Sequence, residues 1–354
     1  MNNAFEYGSY TASDGTVLPY RYYLPKDYET SGKSYPVFLY MHGNGSRGTD
    51  NVCHIETKIY NINRAVFESG YECIMIAPHC PPAPCEWTPY KSIGINTYPG
   101  SEAYASFLES GQPYPSRYFC AASELLNRVL CDFRVDSSRV YIAGGSNGAG
   151  AVWNFLSLYP EVFAAAVPIS GSRATEDFVH AVAHRCKDVA IWAFHGDLDN
   201  EKGVPVEGTR VMTKAISEIG GNIKYTEVEG GTHSNIWTIA ARTDGIVDWI
   251  FSQKNDSFVN SLAISSGEKL AVPQNLHWMS REAVWDSVEN AGAYKLTLYR
   301  NGEEIKVCYT HKNTYKPDDE IFVVGEISFS VTALPQKNKY SRSDNSEASS
   351  VYIP

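Results

Sequence analysis

The sequence lacks the features that mark a membrane-spanning or nucleic-acid-binding protein. No stretch approaches the roughly 18 apolar residues that a transmembrane helix needs. Positive charge is in deficit, because 30 Lys and Arg stand against 40 Asp and Glu, for a formal net charge of −10. Nucleic acid and anionic membrane surfaces are both bound through basic patches. The composition therefore predicts that neither nucleic acid nor membrane is a partner.

The first residues also lack the pattern of a secretory signal. The segment MNNAFEYGSYTASDG has neither a basic start nor an apolar centre. The sequence as written is therefore expected to be cytoplasmic, and secretion stays open if a leader was removed.

Metal-binding and cofactor patterns are missing as well. The eight cysteines form no C-x-x-C pair and show no zinc-site spacing. Cys80 and Cys85 flank a Pro-rich loop and can pair under oxidising conditions, which the sequence leaves open. His180 and His184 have helical i, i+4 spacing, but they lack the Glu of an H-E-x-x-H metal motif. We therefore predict neither a metal ion nor an organic cofactor.

The chain does contain enough apolar sequence for a large core, with 43% hydrophobic residues among 354. Up to residue 254, nearly continuous apolar runs alternate with predicted helices, among them 56–69, 101–108 and 237–252. Such runs are typical of parallel strands buried on both faces. The expected strands are YPVFLYM (35–41), ECIMIA (72–77), RVYIA (139–143), FAAAVPI (163–169), DVAIWAF (188–194) and NIKYTEV (222–228), preceded by a hairpin over 5–23. The pattern predicts an α/β domain over residues 1–254.

The segment 265–354 has a different pattern, and it is predicted to be a second domain. Short runs of alternating apolar residues, with turn signals such as Asn301-Gly302, indicate a small all-β sandwich. Residues 273–354 resemble a fibronectin type III domain. The resemblance is carried by Pro273, Leu276, Trp278, Trp285, the run YKLTLY (294–299) and the run ISFSVTA (327–333). That family usually has Tyr where Ile327 stands, so the subfamily stays open; we expect a spacer or a weak glycan-binding module.

One short motif in the first domain points to chemistry. Gly144-Gly145-Ser146-Asn147-Gly148 fits the G-x-S-x-G pattern, directly after a predicted strand and before a predicted helix. A strand, a sharp turn and a helix form the context that makes Ser146 a candidate nucleophile. The alternative is an ordinary glycine-rich turn without a catalytic serine. A catalytic Ser146 would need an acid, a base and oxyanion donors elsewhere in the chain.

The acid and the base are expected in that order along the chain, each after a strand. The segment FHGDLD (194–199) offers Asp197 and Asp199; Asp199 matches the acid of the H-G-x-x-D pattern of esterases, and we prefer it. His195 precedes the acid and is expected to fix its loop. His233, in GGTHS (230–234), follows the last predicted strand of the sheet and is the expected base.

The oxyanion donors are expected from two backbone amides. Asn147 follows the nucleophile and supplies one, and Asn44, in the loop HGNGSRGTDN (42–51), supplies the other. That loop also fits the dinucleotide-binding pattern G-x-G-x-x-G, but such a unit needs an acidic residue at the end of the next strand. That strand ends in Pro78-His79-Cys80, so the dinucleotide hypothesis is rejected.

These motifs resemble a known group of enzymes, the α/β-hydrolase esterases related to polyhydroxybutyrate depolymerases, feruloyl esterases and acetyl xylan esterases. The matching segments are YMHGNGSRGTDN, APHCP, GGSNGAGAVW, FHGDLDN with VPVE, and GTHSNIW, spread over residues 5–252. The resemblance implies an α/β-hydrolase fold and a serine esterase with an acyl-enzyme intermediate. Two departures, Asn147 and the extra residues 200–203, put the shape of the pocket in doubt.

For the substrate, the resemblance implies a carbohydrate-linked ester, acetyl or feruloyl. The aromatic-rich stretch 87–118 is the expected specificity element, and the predicted substrate contacts are Trp87, Tyr90, Tyr98 and Trp237. Two alternatives stay open. One is a serine peptidase of the prolyl oligopeptidase type, and the other is a non-enzymatic glycan-binding protein on a hydrolase fold.

Overall fold

In a computed structural model of the chain, the structure describes residues 4–12, 15–56, 59–82, 87, 116–171, 176–199, 204–262, 268–310, 312–335, 340–341 and 343–353. The first part of the chain forms one eight-stranded sheet. Its strands are β1 (Glu6–Thr11), β2 (Val17–Tyr23), β3 (Tyr35–Met41), β4 (Ile74–Pro78), β5 (Val135–Gly145), β6 (Ala165–Ile169), β7 (Ala190–Gly196) and β8 (Ile223–Val228).

The strand order of the sheet is β1-β2-β4-β3-β5-β6-β7-β8. The hairpin β1–β2 is antiparallel, β2 joins β4 antiparallel, and the pairs from β4 to β8 are parallel. Every residue of β3, β4, β6 and β7 is buried. This explains the continuous apolar runs, because helices cover both faces of these strands.

Eight α-helices accompany the sheet within the described residues: α1 (Tyr28–Ser31), α2 (Ile62–Glu68), α3 (Arg117–Asp132), α4 (Asn147–Leu158), α5 (Glu176–Cys186), α6 (Val206–Glu218), α7 (Ile236–Ala241) and α8 (Ile246–Ser252). Helices α3 to α6 share a hydrophobic core with one face of the sheet. Helices α2, α7 and α8 share another core with the opposite face. The α/β-hydrolase fold predicted from the sequence is confirmed.

Two helix predictions need correction. The helix expected over 56–69 begins only at Ile62, because Asn61 caps it by accepting a hydrogen bond from the Arg64 amide. The helix expected over 237–252 is two helices, and Gly245, at φ 71°, separates them. A helix expected over 101–108 lies outside the described residues. None of the described helices is long and apolar enough to cross a membrane.

The last part of the chain forms a small β domain. Its strands are β9 (Glu268–Lys269), β10 (His277–Met279), β11 (Glu282–Val284), β12 (Ala291–Arg300), β13 (Glu303–Thr310), β14 (Thr314–Tyr315), β15 (Gly325–Pro335), β16 (Tyr340–Ser341) and β17 (Ser349–Ile353). A three-stranded sheet, β10-β11-β14, and a four-stranded sheet, β13-β12-β15-β17, are both antiparallel.

The three-stranded sheet and the four-stranded sheet share one hydrophobic core. Trp285 and Ala283 pack there with Leu296, Phe329 and other residues of the four-stranded sheet. Alternate residues of β12 and β15 point inward, which is the pattern that predicted a sandwich. The all-β second domain is therefore confirmed as a fold, and its fibronectin type III assignment stays a prediction. The boundaries 1–254 and 265–354 also stay predictions; Leu262 still packs in the first domain's core, and Leu270 in the second.

Candidate active site

Ser146 lies in a strained turn between β5 and α4. Its backbone has φ 55° and ψ −120°, a conformation that non-glycine residues rarely adopt. The Ser146 amide donates to the Ile169 carbonyl at 3.0 Å, which ties the turn to β6. Neighbouring glycines permit the close approach of chains, since a Cβ on Gly144 would lie 2.8 Å from the Met41 carbonyl oxygen and one on Gly148 would overlap that oxygen. The turn thus places the Ser146 hydroxyl at the carboxyl edge of the sheet.

His233 links this hydroxyl to a buried carboxylate. The His233 Nε2 lies 3.1 Å from Ser146 Oγ, and its Nδ1 lies 2.8 Å from Asp199 Oδ2. Because a carboxylate only accepts, Nδ1 carries the ring proton and Nε2 presents its lone pair to the serine hydroxyl. The structure therefore brings together the three residues that the sequence assigned to catalysis.

Asp199 is fully buried, and its charge is held by further polar contacts. Ser170 Oγ donates to Asp199 Oδ2 at 2.6 Å. Ser170 itself follows β6 at φ 50°, and its amide donates to the Phe194 carbonyl. Asp197, the less favoured candidate for the acid, is half-buried, and its amide donates to the Val228 carbonyl. The carboxylate with the direct link to His233 is thus that of Asp199.

His195 supports the acid loop, as the sequence predicted. Its Nε2 donates to the Val204 carbonyl at 3.1 Å, and its Nδ1 lies 2.8 Å from the Thr209 hydroxyl. Burial lowers the pKa of His195, although the nearby Asp199 carboxylate opposes that shift. A neutral imidazole therefore ties β7 to the segment that enters α6.

The Asn44 amide is oriented by His42, two residues earlier in the chain. The His42 Nε2 accepts from the Cys80 amide at 3.0 Å, so Nδ1 must carry the proton, which it donates to the Gly43 carbonyl at 2.8 Å. In a trans peptide the carbonyl and the following N–H point in opposite directions. The Asn44 N–H is therefore directed away from His42, and the loop lies against the nucleophile, because a Cβ on Gly43 would be 3.3 Å from Ser146 Cβ.

Burial keeps His42 neutral in this role. The side chain is fully buried, and desolvation lowers the pKa of His42 to about 3. The tautomer required by the two hydrogen bonds is thus held across the physiological pH range. Sequence reasoning treated His42 only as part of a loop motif, and did not identify its function.

Asn147, the second expected oxyanion residue, begins α4. Its amide occupies the first turn of the helix, where backbone N–H groups have no intrahelical acceptor and the helix dipole favours negative charge. Its side-chain Oδ1 accepts from the Trp87 amide at 2.9 Å. Asn147 is one of the two departures from the esterase pattern. Its side chain joins the start of the stretch 87–118 to the nucleophile turn.

Trp87 differs from the role predicted for it. Its side chain is 1% exposed, and its Nε1 donates to the His42 carbonyl at 2.9 Å. Such burial leaves no indole surface for a substrate, so Trp87 supports the segments that carry His42 and Asn147. Tyr90 and Tyr98, the other predicted contacts of this stretch, lie outside the described residues.

Trp237, from α7, stands at the candidate site. Its half-buried ring meets the His233 ring edge to face, with centroids 5.0 Å apart. The same ring covers Gly145, where any Cβ would overlap the indole. This placement suits the predicted substrate contact, which stays a prediction.

The sequence analysis did not identify Ser170, which touches Asp199. The available signal was its position directly after a strand that neighbours the nucleophile strand. Polar residues at the carboxyl ends of parallel strands meet at one edge of the sheet. Serine alone is too common a residue for that position to have singled it out.

Comparisons with known proteins support the α/β fold of the first domain but do not assign the chain to a family. No family model matches the chain. An uncharacterized secreted protein of Arthroderma benhamiae is 29% identical over 115 residues, which are 26% of this chain and 12% of that protein. A solved thermostable esterase is 29% identical with a TM-score of 0.56, covering 72% of this chain and 64% of its own. The chain thus spans less than two thirds of that esterase. An S-formylglutathione hydrolase from Staphylococcus aureus is 16% identical with a TM-score of 0.49, covering 70% and 96% of the two chains.

Proposed function

We propose that the protein is a serine hydrolase that cleaves carboxylic esters through an acyl-enzyme. The observation that carries the proposal is the continuous hydrogen-bonded chain Ser146–His233–Asp199, with distances of 3.1 Å and 2.8 Å. A turn as strained as that of Ser146 is retained where the surrounding structure enforces it, and such strain clusters at functional sites. The arrangement disfavours a non-enzymatic protein, because a binding module needs no such proton relay.

In the first half of the reaction, His233 Nε2 takes the proton of Ser146 Oγ as that oxygen attacks the ester carbonyl. The negative charge on the carbonyl oxygen is received by the amides of Asn44 and Asn147. Asp199 stabilises the imidazolium and keeps its orientation. The imidazolium then gives its proton to the departing alcohol, and the acyl group stays on Ser146.

The second half repeats the chemistry with water. His233 Nε2 takes a proton from a water molecule, whose oxygen attacks the acyl carbonyl. The same two amides receive the charge of the second tetrahedral intermediate. Collapse of that intermediate returns the proton from His233 to Ser146 Oγ and releases the acid. Every proton in this cycle moves through His233.

For the substrate we propose a carbohydrate-linked ester with an acetyl or a feruloyl acyl group. Two features support this: the motif resemblance to acetyl xylan and feruloyl esterases, and the position of Trp237 beside His233. An aromatic ring at that position offers a flat face to a phenolic acyl group or to a sugar.

The test compares ester and amide substrates on the full chain. We expect serine-dependent turnover of p-nitrophenyl acetate or methyl ferulate, and turnover of a prolyl p-nitroanilide at least about 100-fold lower. The Ser146→Ala variant is the control, and it should keep the melting temperature of the wild type. Preferential cleavage of the anilide would replace the proposal with a peptidase. Ester turnover that survives Ser146→Ala would overturn it.

A further inference from the structure

A second cluster of reactive side chains lies outside the Ser146–His233–Asp199 site. Asp50 and Cys53 end the loop that Asn44 begins, and His79 follows β4. One potential ligand atom from each of the three lies within 4.8 Å of the others. The candidate mechanism uses none of these side chains.

The hydrogen bonds of His79 leave one of its nitrogens available. Its Nε2 lies 3.1 Å from the Ser46 carbonyl, and since a carbonyl only accepts, Nε2 carries the proton. Its Nδ1 is buried and has no hydrogen-bond partner among the described residues. That lone pair lies 4.0 Å from Asp50 Oδ1. A lone pair and a carboxylate oxygen repel each other unless a positive charge lies between them.

Cys53 provides a third donor beside the same imidazole. Its Sγ lies 3.4 Å from His79 Nε2 and 3.2 Å from the Ser46 carbonyl. Asp50 is held next to it by local hydrogen bonds, because Oδ1 accepts from the amides of Val52 at 2.9 Å and Cys53 at 3.1 Å. The loop therefore places the carboxylate and the thiol together before any ligand arrives.

Gly48 keeps the side of this cluster open. A Cβ at Gly48 would stand 3.0 Å from Cys53 Sγ and 3.2 Å from the His79 ring. Any larger residue would therefore crowd the sulfur and the imidazole. Asp50 is exposed and Cys53 is half-buried, so the cluster also has a route from solvent.

We propose that Asp50, Cys53 and His79 form a site for a divalent transition ion of zinc type. Sulfur, imidazole and carboxylate donors match zinc, whereas magnesium and calcium prefer oxygen alone. The ion is bound by Cys53 Sγ, His79 Nδ1 and an Asp50 carboxylate oxygen, and water completes the tetrahedron. The Cys53 thiol loses its proton to solvent as the metal–sulfur bond forms.

The hydrogen bond from His79 Nε2 to the Ser46 carbonyl orients the imidazole for metal binding through Nδ1. Histidines that bind metals through one nitrogen commonly donate the other N–H to a backbone carbonyl, which fixes the ring and its tautomer. The same bond rules out His79 as a base for Cys53, because the nitrogen nearer the sulfur already carries a proton. The cluster is therefore a binding site and not a second nucleophile.

A bound ion would also join two segments of the fold. Asp50 and Cys53 belong to the loop after β3, and His79 belongs to the end of β4. The ion therefore cross-links the loop that carries Asn44 to the sheet, and it is expected to raise the melting temperature of the full chain.

Cobalt substitution tests the site directly. We expect the full chain to bind one Co²⁺ with a thiolate-to-cobalt absorption band in the near ultraviolet, and Zn²⁺ to abolish that band by displacement. Cys53→Ser should remove the band and weaken zinc binding by at least about 100-fold. Removal of an outer-shell partner already weakens metal binding by up to about 100-fold, and Cys53 would be a direct ligand. Cys131→Ser, at an exposed cysteine outside the cluster, is the matched control and should change neither.

A second variant covers the case in which Cys53→Ser does not fold. Gly48→Ala keeps all three donors and narrows the space beside them, so it should weaken zinc binding about 10-fold or more by the same scale. A cobalt band that persists in Cys53→Ser would overturn the proposal. So would the absence of a band in the wild type with Co²⁺ at millimolar concentration, or zinc binding that Gly48→Ala leaves unchanged.

Discussion

Both domains bury an apolar core, and they differ in the polar groups they bury. In the α/β domain, His42, Ser170, His195 and Asp199 are all at most 1% exposed. His195 lies in β7, and the other three follow strands. In the described part of the β domain, the buried polar residues are hydroxyl side chains only: Thr297, Ser330, Thr332, Ser343 and Ser346. Burying a carboxylate or an imidazole is costly unless it is hydrogen-bonded. His42, Ser170, His195 and Asp199 meet that condition, because each takes part in a hydrogen bond at or beside the candidate active site.

Sheet type explains the contrast. The strands β3, β5, β6, β7 and β8 run parallel, so their carboxyl ends converge on one edge and bring distant residues together. In the antiparallel sheets of the β domain, successive strand ends alternate between opposite edges. The comparison assigns chemistry to the first domain and packing to the second.

The largest effect that would test this contrast is expected from Asp199→Asn. The amide keeps the shape of the side chain but can no longer hold His233 in the tautomer that accepts the serine proton. We expect kcat to fall roughly 10⁴-fold, as in serine hydrolases that lose this carboxylate. Asp197→Asn, two positions earlier in the same loop and with no hydrogen bond to His233, is the control, and its kcat should stay within about threefold of the wild type. Equal losses in the two variants would contradict the assignment of the acid.

The next effect concerns stability, and it tests the β domain. Trp285 is 1% exposed and packs against the Tyr294 ring with centroids 5.3 Å apart. Trp285→Ala should destabilise the β domain by roughly 3–5 kcal/mol, the usual cost of a large buried aromatic. In calorimetry, only the transition of that domain should move, and kcat on p-nitrophenyl acetate should stay within about twofold. A proportional loss of kcat would show that the two domains are not separate in function.

Ser170→Ala should give a smaller loss of activity. The variant removes the hydroxyl that donates to Asp199 Oδ2 at 2.6 Å. A hydrogen bond to a charged group is worth about 1.5–3 kcal/mol, so kcat/KM should fall about 10-fold to 100-fold. Ser157→Ala, which removes a buried hydroxyl bonded only within α4, is the control and should leave kcat/KM unchanged. An unchanged kcat/KM in Ser170→Ala would show that Ser170 does not contribute to catalysis.

The smallest effect is the acid sensitivity contributed by His195. Burial lowers the pKa of His195 in the folded protein, so folding favours its neutral form. Its contribution to stability is complete above the unfolded value of about 6.5 and is lost as the pH falls below it, by at most ~1.4 kcal/mol per pH unit.

A calorimetric series from pH 7.5 to pH 5 checks this contribution. The transition of the α/β domain should move to lower temperature below about pH 6.5, and His195→Gln should reduce that dependence. An equal acid shift in His195→Gln and in the wild type would assign the sensitivity to other groups.

Much of the α/β domain was predictable because its signals are local. The strand β3 has the predicted bounds, and β6, β7 and β8 begin or end within two residues of prediction. Ser146, Asp199 and His233 were found because each combines a chemical residue type with a position after a strand. The split between α7 and α8 at Gly245, which has φ 71°, was missed because a single glycine inside a helical pattern does not by itself mark a break.

Contacts between segments that lie far apart in the chain could not be predicted from the sequence. The Trp87 amide donates to the side chain of Asn147, which lies 60 residues away. The cluster of Asp50, Cys53 and His79 has no recognisable spacing, because it forms only when the loop after β3 meets the end of β4. Both features depend on tertiary structure, to which hydrophobic periodicity is insensitive.

The most direct test of the central claim is covalent labelling with a fluorophosphonate, followed by mass spectrometry of the peptides. The account predicts one phosphonyl group per chain, attached to Ser146, with loss of ester turnover in proportion to labelling. Ser146→Ala should take up no label while melting like the wild type. A labelled residue other than Ser146, or full turnover after complete labelling of Ser146, would contradict the account.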